Sequence, residues 1–118
     1  PTSFAQAGAV EAFKLGPGEI DRLRESFEKR RNLIVREVEK IKRLSFFKPQ
    51  GAFYLFVNIA RTGIGSVEFC EKLLDMKKVA CVPGIAFGSD QHIRLSFAIS
   101  EANITEGVRR IGEFVESL

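Results

Sequence analysis

The stretch PGIAFGSDQHIRLSFAIS, residues 83–100, decides how the second half of this chain folds. A Pro-Gly turn and a glycine-rich loop lead into a strand at residues 92–98, in which apolar and polar side chains alternate. Successive side chains of a strand point to opposite faces, so we expect Arg94 on one face and Ile93 and Leu95 on the other. The arginine is therefore either a solvated surface residue or a group that binds a ligand.

Both interpretations of Arg94 are open from the residues alone. His92 and Ser96 share its face, and such a row of side chains is typical of a wet, polar surface. Alternatively, the guanidinium presents paired N–H donors in one plane, a geometry that matches a carboxylate and that lysine lacks. The two glycines of the preceding loop permit a close approach of ligand or chain. Phe87 between them is either a core residue or a cover over a bound ring.

The elements around this stretch predict the fold class. Residues 53–59 are aromatic and β-branched and predict a strand that is apolar on both faces. Ser66 is expected to cap a short helix, residues 79–84 contain a short strand, and Ser100 is expected to cap a last helix. The resulting order is β-α-β-β-α. It predicts a two-layer α/β (α+β) domain, with a small mixed sheet of about three to four strands and helices on one side.

A long helix is predicted before this domain, over residues 19–43, because apolar side chains recur there at spacings of three and four. Its 25 residues would span roughly 38 Å, more than a compact domain of this size needs, so we expect it to link two domains. The chain then divides into a helical stub of a preceding domain (1–17), a linking helix (18–44) and a small C-terminal domain (45–118).

Composition excludes several classes of protein. The chain has 118 residues, of which 45% are hydrophobic, enough for a core. Its net charge of +3 is spread among charges of both signs, so we expect no nucleic-acid partner. No apolar run approaches the roughly 20 residues of a membrane span, and no basic segment opens a signal peptide. We therefore expect a cytoplasmic protein without a membrane partner.

Other reactive side chains give little indication of a site. Cys70 and Cys81 lie 11 residues apart in apolar contexts without a C-x-x-C motif, and we expect buried free thiols. With a single histidine in the chain, no metal site is expected. His92 has no carboxylate or cysteine close in sequence, so we assign it no ligand or general-base role. No lysine is expected to form a Schiff base, and four are expected to be charged surface residues: Lys14, Lys48, Lys77 and Lys78.

Four segments, PTSFAQAGAVEAF, KPQGAFYLFVNI, VACVPGIAFG and HIRLSFAISEANITEGVRRI, carry a resemblance to a known family. In this order and spacing they resemble the C-terminal part of class I/II aminotransferases, the pyridoxal-phosphate enzymes of the aspartate aminotransferase fold. The resemblance covers nearly the whole chain. Its most specific part is the loop Pro-Gly-x-x-Phe-Gly followed by IRLSFA.

The resemblance implies roles for individual residues. In the family, the arginine of the RLSF strand binds the substrate's α-carboxylate, and Arg94 occupies that place. Phe87 and the loop at residues 84–88 would close over the substrate, and we expect dry, apolar surroundings, attributed to the apolar side chains of the Arg94 strand and to Phe87. Thr2 and Ser3 would lie near the cofactor phosphate across a dimer interface.

The resemblance also implies what the chain lacks. The family's Schiff-base lysine, the aspartate at the pyridine nitrogen and the tyrosine at the ring oxygen belong to the large domain and have no counterpart here. We therefore place no catalytic residue in this chain and expect it to be inactive alone. The intact protein would be a homodimeric, pyridoxal 5'-phosphate-dependent aminotransferase that exchanges the amino group between an L-amino acid and a 2-oxo acid.

Two alternatives remain open. The nearer one keeps the fold and changes the reaction, as in a carbon–sulfur lyase or another pyridoxal-phosphate enzyme that anchors a carboxylate. The farther one is a stand-alone β-α-β-β-α binding module, for RNA given the pI of about 9.1. That module would lack the basic and aromatic strand motif on which such sheets stack bases.

Overall fold

A computed structural model describes residues 2–118 as helices packed on a small sheet. The helices are α1 (Ser3–Lys14), α2 (Pro17–Val38), α3 (Ser66–Lys77) and α4 (Glu101–Glu116). The strands are β1 (Ser45–Phe46), β2 (Tyr54–Asn58), β3 (Val82–Pro83) and β4 (His92–Ser96). Single 3₁₀ turns lie at Ala60–Thr62 and Gly84–Phe87. The predicted β-α-β-β-α order is confirmed, and the two-residue strand β1 is an addition that its short, irregular sequence did not predict.

The sheet has the strand order β1-β2-β4-β3. The two-layer fold class with up to four strands is confirmed. However, every neighbouring pair is antiparallel, so the prediction of a mixed sheet is wrong. The physical reason is that α3 connects β2 to β3, which run in the same direction but are separated by β4. The turn after β3 reverses the chain, so β4 enters between them and pairs antiparallel with both.

The core lies between one face of this sheet and the helices. Leu55 and Val57 of β2 are fully buried, as is Ile93 of β4. Phe69 of α3 and Phe114 of α4 meet edge to face, with ring centroids 5.1 Å apart. The alternation predicted for the strand after the glycine-rich loop is therefore confirmed, and its apolar side chains point into the core.

The strand predicted at residues 53–59 is shorter and buries only one face. Tyr54 and Phe53 remain exposed, and Phe56 is partly exposed on the face away from the helices. The prediction of two buried faces was wrong because the aromatic side chains of that second face gather around Arg94 instead of entering the core.

The long helix ends earlier than its apolar periodicity predicted. From Val38 the chain continues in single turns with i→i−3 hydrogen bonds, including those from Ile41 to Val38 and from Leu44 to Ile41. These turns place Leu44 in the core. Arg43 holds them there by donating to the carbonyls of residues 61, 62 and 115, which ties the end of the linking segment to the domain.

The first part of the chain is not covered by the domain. No residue of α1 is buried, and Phe13 is 92% exposed. Within α2 only Ile34, Val35 and Val38 are buried. The described residues extend over 51 Å in the longest direction, although the other two extents are 29 and 24 Å. The division of the chain at residues 17 and 44 stays a prediction.

Among the described residues, none of the helices is both long and apolar enough to cross a membrane.

The last helix begins as predicted, because the Ser100 side chain accepts a hydrogen bond from the Asn103 amide at 3.2 Å.

Candidate functional site

Arg94 lies at the centre of β4, paired with Phe56 of β2 on one side and Val82 of β3 on the other. Its side chain is on the face opposite the core, as the alternation predicted. The surroundings differ from the expectation. Ile93 and Leu95 point away from it into the core. The apolar groups near the guanidinium come from the neighbouring strand and the glycine-rich loop.

Five side chains form what we call the Arg94 cluster: Arg94, Tyr54, Phe56, Phe87 and His92. The guanidinium carbon of Arg94 lies 4.6 Å from the Phe87 ring centroid and 5.1 Å from that of Tyr54. Both contacts are within the range of cation–π attraction. Phe87 also meets Phe56 edge to face at 6.2 Å. The structure therefore brings together the two residues, Arg94 and Phe87, that the sequence singled out.

His92 belongs to this cluster through ring stacking and is itself held by two polar contacts. It stacks on Phe56 with the ring planes 3° apart and the centroids 4.6 Å apart. The Asn58 amide nitrogen lies 3.4 Å from His92 Nε2, and Ser89 Oγ lies 2.7 Å from His92 Nδ1. An amide nitrogen only donates, so Nε2 accepts from Asn58, and Nδ1 pairs with the Ser89 hydroxyl. The sequence spacing did not predict this role.

The N–H donors of the Arg94 guanidinium have no acceptor among residues 2–118. Its interactions in this part of the chain are the two ring contacts. Several other arginines are occupied: Arg43 binds backbone carbonyls, and Arg109 and Arg110 both donate to Glu106. Within the described chain Arg30, like Arg94, has only a ring contact, in its case with Phe27. A partly exposed guanidinium with ring contacts and free donors is suited to bind a planar anion such as a carboxylate.

The loop that carries Phe87 depends on two glycines for different reasons. A Cβ on Gly84 would lie 2.2 Å from the carbonyl oxygen of His92 and 2.4 Å from that of Ser89. Gly88 ends the 3₁₀ turn with φ at 86°, in the left-handed region that favours glycine. The first glycine therefore allows a close approach of two chain segments, and the second allows the chain to reverse.

Ser66 and Asp90 anchor this loop to α3, and sequence reasoning missed the pair. The fully buried Ser66 hydroxyl donates to Asp90 Oδ1 at 2.7 Å and accepts from the Ile85 amide at 3.2 Å. The Ser66 amide also donates to Asp90 Oδ1, at 2.9 Å. Ser66 was expected to cap α3 itself. The N-cap position is instead Gly65, and the Asp90 carboxylate accepts from the first turn. The Gly-Ser-Asp sequence at residues 88–90 was the signal from which this anchor could have been predicted.

In the full-length protein, Asp90→Asn is expected to make the free energy of unfolding less dependent on pH in the acid range. Hydrogen bonds from the Ser66 hydroxyl, and secondly from its amide, lower the pKa of Asp90. A lowered folded-state pKa gives stability that is present above the ordinary carboxyl pKa and lost as pH falls through the lowered value. Denaturant melts at several pH values should show the parent losing more stability on acidification than the variant. Equal losses would show that Asp90 does not anchor the loop.

The other predicted positions lie apart from the Arg94 cluster. Thr2 and Ser3 are exposed at the start of α1, and neither side chain caps that helix. The larger grooves are elsewhere on the surface. One of about 550 Å³ lies between α2 and residues 50–53, and one of about 630 Å³ lies between the end of α2 and α4. Arg94 therefore stands on an open face. Within residues 2–118 no group of three possible metal ligands occurs.

Comparisons with known proteins identify the family. The profile described as "Aminotransferase class I and II" matches residues 1–111. The chain is 45% identical to an aspartate aminotransferase of Bacillus subtilis (98% of this chain, 31% of the relative). It is 42% identical to a probable aspartate/prephenate aminotransferase of Aquifex aeolicus (99% and 31%).

A solved structure agrees with these matches. The aromatic aminotransferase of Pyrococcus horikoshii superimposes with a TM-score of 0.89 at 31% identity, covering 99% of this chain and 32% of that one. The chain thus spans about a third of the length of the relatives that it matches. On the profile match and these identities, the chain belongs to the class I and II aminotransferases.

Proposed function

We propose that this chain is the C-terminal, substrate-carboxylate-binding part of an aminotransferase that exchanges the amino group between an L-amino acid and a 2-oxo acid. The observation that carries the proposal is the Arg94 guanidinium, which has aromatic contacts and free N–H donors on an open face. Amino acids and 2-oxo acids both carry the planar α-carboxylate that such a fork binds in two places. Family membership supports the reaction class.

Phe87 is the second residue of this chain that takes part in the proposed substrate binding. It contacts the Arg94 guanidinium and is half exposed, at the end of a turn that is held by Ser66 and closed by Gly88. A substrate carboxylate on Arg94 would lie beside its ring, where the apolar edge reduces competition from water and strengthens the charged hydrogen bonds. Phe87 thus helps to bind the substrate without taking part in the chemistry.

The family implies pyridoxal 5'-phosphate as the cofactor, whose ring supplies the electron-withdrawing chemistry. The described residues can bind the substrate carboxylate, but they do not include the groups that would bind the cofactor itself. No lysine amine in residues 2–118 forms a hydrogen bond or ion pair with the Arg94 cluster, and Lys14 and Lys77 pair with Glu11 and Glu113. In the proposal the cofactor lysine and the ring-binding groups belong to the large domain of the intact enzyme.

The proposal also includes a homodimer. Phe4, Val10 and Phe13 of α1 are exposed by more than half. In the proposal the large domain to which α1 is assigned covers part of this apolar surface in the intact protein, and the partner subunit covers the rest. Thr2 and Ser3 begin the same helix, and in the proposal they lie near the cofactor phosphate across the dimer interface.

The full-length protein is expected to transaminate. Incubated with pyridoxal phosphate, L-aspartate and 2-oxoglutarate, it should form the new amino acid and the new 2-oxo acid in equal amounts. Aspartate is the first donor to test because relatives are named for it, and an aromatic donor is the second. Chromatography of both products measures the result.

A different product pattern would support the carbon–sulfur lyase. A lyase needs no 2-oxo acid acceptor and, with one water, converts a single sulfur-containing amino acid into a thiol, ammonia and a 2-oxo acid. Omission of the acceptor is therefore the control. Turnover of cysteine-like substrates without an acceptor, together with no exchange for any donor, would contradict the aminotransferase proposal.

A further inference from the structure

We propose that Cys70 and Cys81 are a redox-modifiable pair that forms a reversible disulfide and locks β3 and the Phe87 turn against α3. The proposal concerns a pair of side chains outside the Arg94 cluster. It does not depend on the reaction that the intact protein catalyses.

The positions of the two thiols support a bond between them. Cys70 is buried on α3, and Cys81 is partly exposed immediately before β3. Both are free, and their sulfur atoms lie 3.1 Å apart. A disulfide needs the sulfurs about 1 Å closer, at roughly 2.05 Å, a distance that small side-chain rotations can cover. The two elements are already in contact, so the bond would join segments that pack against each other in the fold.

The thiols are also chemically prepared for oxidation. The hydrogen bond with Cys81 lowers the pKa of Cys70, and the same hydrogen bond, with burial, raises the pKa of Cys81. The thiolate is the reactive form of cysteine, so Cys70 is the group that reacts first. A metal site is not a competing explanation, because no third ligand stands beside the pair among residues 2–118.

The oxidant in this proposal is a small peroxide, which can reach a buried sulfur. The Cys70 thiolate attacks one oxygen of hydrogen peroxide, the O–O bond breaks, and the departing hydroxide takes a proton to become water. Cys70 is then a sulfenic acid. The Cys81 sulfur attacks the Cys70 sulfur, the S–O bond breaks, and the Cys81 proton leaves with the hydroxide as a second water. Two thiols and one peroxide thus give one disulfide and two waters.

The Cys70–Cys81 disulfide would restrain β3 and the Gly84–Phe87 turn, the segment that leads to the Arg94 cluster. Val82 follows Cys81 directly and pairs with Arg94 across the sheet. The Gly84–Phe87 turn comes next in the chain. Closing a loop of about a dozen residues restricts local opening of this segment, so its amides should exchange roughly ten- to a hundred-fold more slowly. The disulfide would therefore stiffen the support of Phe87.

Peptide mapping of the full-length protein tests the bond. Trypsin cuts after Lys72 and Lys78, so the oxidised protein should give residues 62–72 joined to residues 79–94. The native protein is treated with hydrogen peroxide, alkylated and digested, and a second sample is reduced with dithiothreitol before alkylation. We expect the joined peptide in the first sample and its loss in the second.

Cys81→Ala is the matched control, since Cys81 is only partly buried and its truncation should leave the fold intact. The variant should give no joined peptide, because Cys70 then has no second thiol beside it. Recovery of the two peptides separately from the oxidised native protein would overturn the proposal. So would a joined peptide that forms only after unfolding in urea, or a bridge that leaves amide exchange over residues 79–87 unchanged.

Discussion

Arg94→Ala in the full-length protein is expected to lower kcat/KM by roughly 30- to several-thousand-fold. Removing one partner of a buried, hydrogen-bonded charge pair leaves the other without compensation and costs about 2–5 kcal/mol, and each 1.4 kcal/mol is about tenfold. In the proposal the large domain of the intact enzyme covers this face and buries the pair. The loss should affect the amino acid and the 2-oxo acid alike, because both present the same α-carboxylate. Steady-state kinetics of the two half-reactions measure it.

Arg94→Lys separates charge from geometry. Lysine keeps the positive charge but not the planar pair of N–H donors, so we still expect a loss of roughly tenfold or more in kcat/KM. Thermal melts without substrate should shift little for either variant. Arg94 has no hydrogen-bond acceptor among the described residues, and its ring contacts are worth only about 0.5–1 kcal/mol at exposed sites.

Arg43→Lys provides the contrasting control. Arg43 binds three backbone carbonyls that join the end of the linking segment to α4 and to the turn after β2. Its replacement should lower the melting temperature and leave kcat/KM close to that of the parent. Near-normal kcat/KM in Arg94→Lys would contradict the carboxylate-binding role. A fall in melting temperature for Arg94→Lys as large as that for Arg43→Lys would mark Arg94 as a structural arginine.

The sequence was most informative where a local pattern and the packing agree. Alternation over residues 92–98 predicted the orientation of Arg94, because burial of one face fixes the register of a strand. The Ser100 cap predicted the start of α4 correctly, because a side-chain acceptor next to the first turn is a local signal. The loop between Pro83 and Gly88 was predicted as a turn, since glycine and proline restrict or permit backbone conformations by themselves.

The parts that were missed depend on contacts between distant segments. The end of α2 is set by Arg43, whose acceptors lie 18 to 72 residues away. The antiparallel sheet follows from β4 entering between two strands, which no local pattern records. Asp90 binds Ser66 from 24 residues away. The Cys70–Cys81 pair likewise forms only when α3 packs on β3.

The prediction for the surroundings of Arg94 was right about Phe87 and wrong about the apolar residues of its own strand. Apolar neighbours within its own strand suggested a dry site, but a strand turns those neighbours to the opposite face. The aromatic rings that contact the guanidinium are Tyr54 of the neighbouring strand and Phe87 of the loop, and Phe56 lies opposite Arg94 in the strand pairing. A prediction of the environment of a strand residue requires its partners in the sheet, not its neighbours in the chain.

Gly84→Ala is expected to impair stability and substrate binding together. The new Cβ would lie 2.2 Å from the His92 carbonyl oxygen and 2.4 Å from that of Ser89, and neither backbone atom can rotate away. The turn must therefore move. Overpacking of this kind typically costs about 1–3 kcal/mol. Because the turn carries Phe87 and abuts the strand of Arg94, we expect kcat/KM to fall roughly tenfold or more, since small misplacements in a site are costly.

Gly107→Ala is the matched control for this prediction. Gly107 lies inside α4, and a Cβ there would meet nothing within 4 Å. Alanine in a helix interior is favoured over glycine by about 0.5–1 kcal/mol, so the control should be slightly more stable than the parent and equally active. Denaturant melts and steady-state kinetics on both variants measure the difference. A Gly84→Ala protein that melts like the parent would show that the two segments do not approach each other closely at Gly84. A Gly84→Ala protein that is destabilised but has unchanged kcat/KM would show that the Gly84–Phe87 turn does not take part in substrate binding.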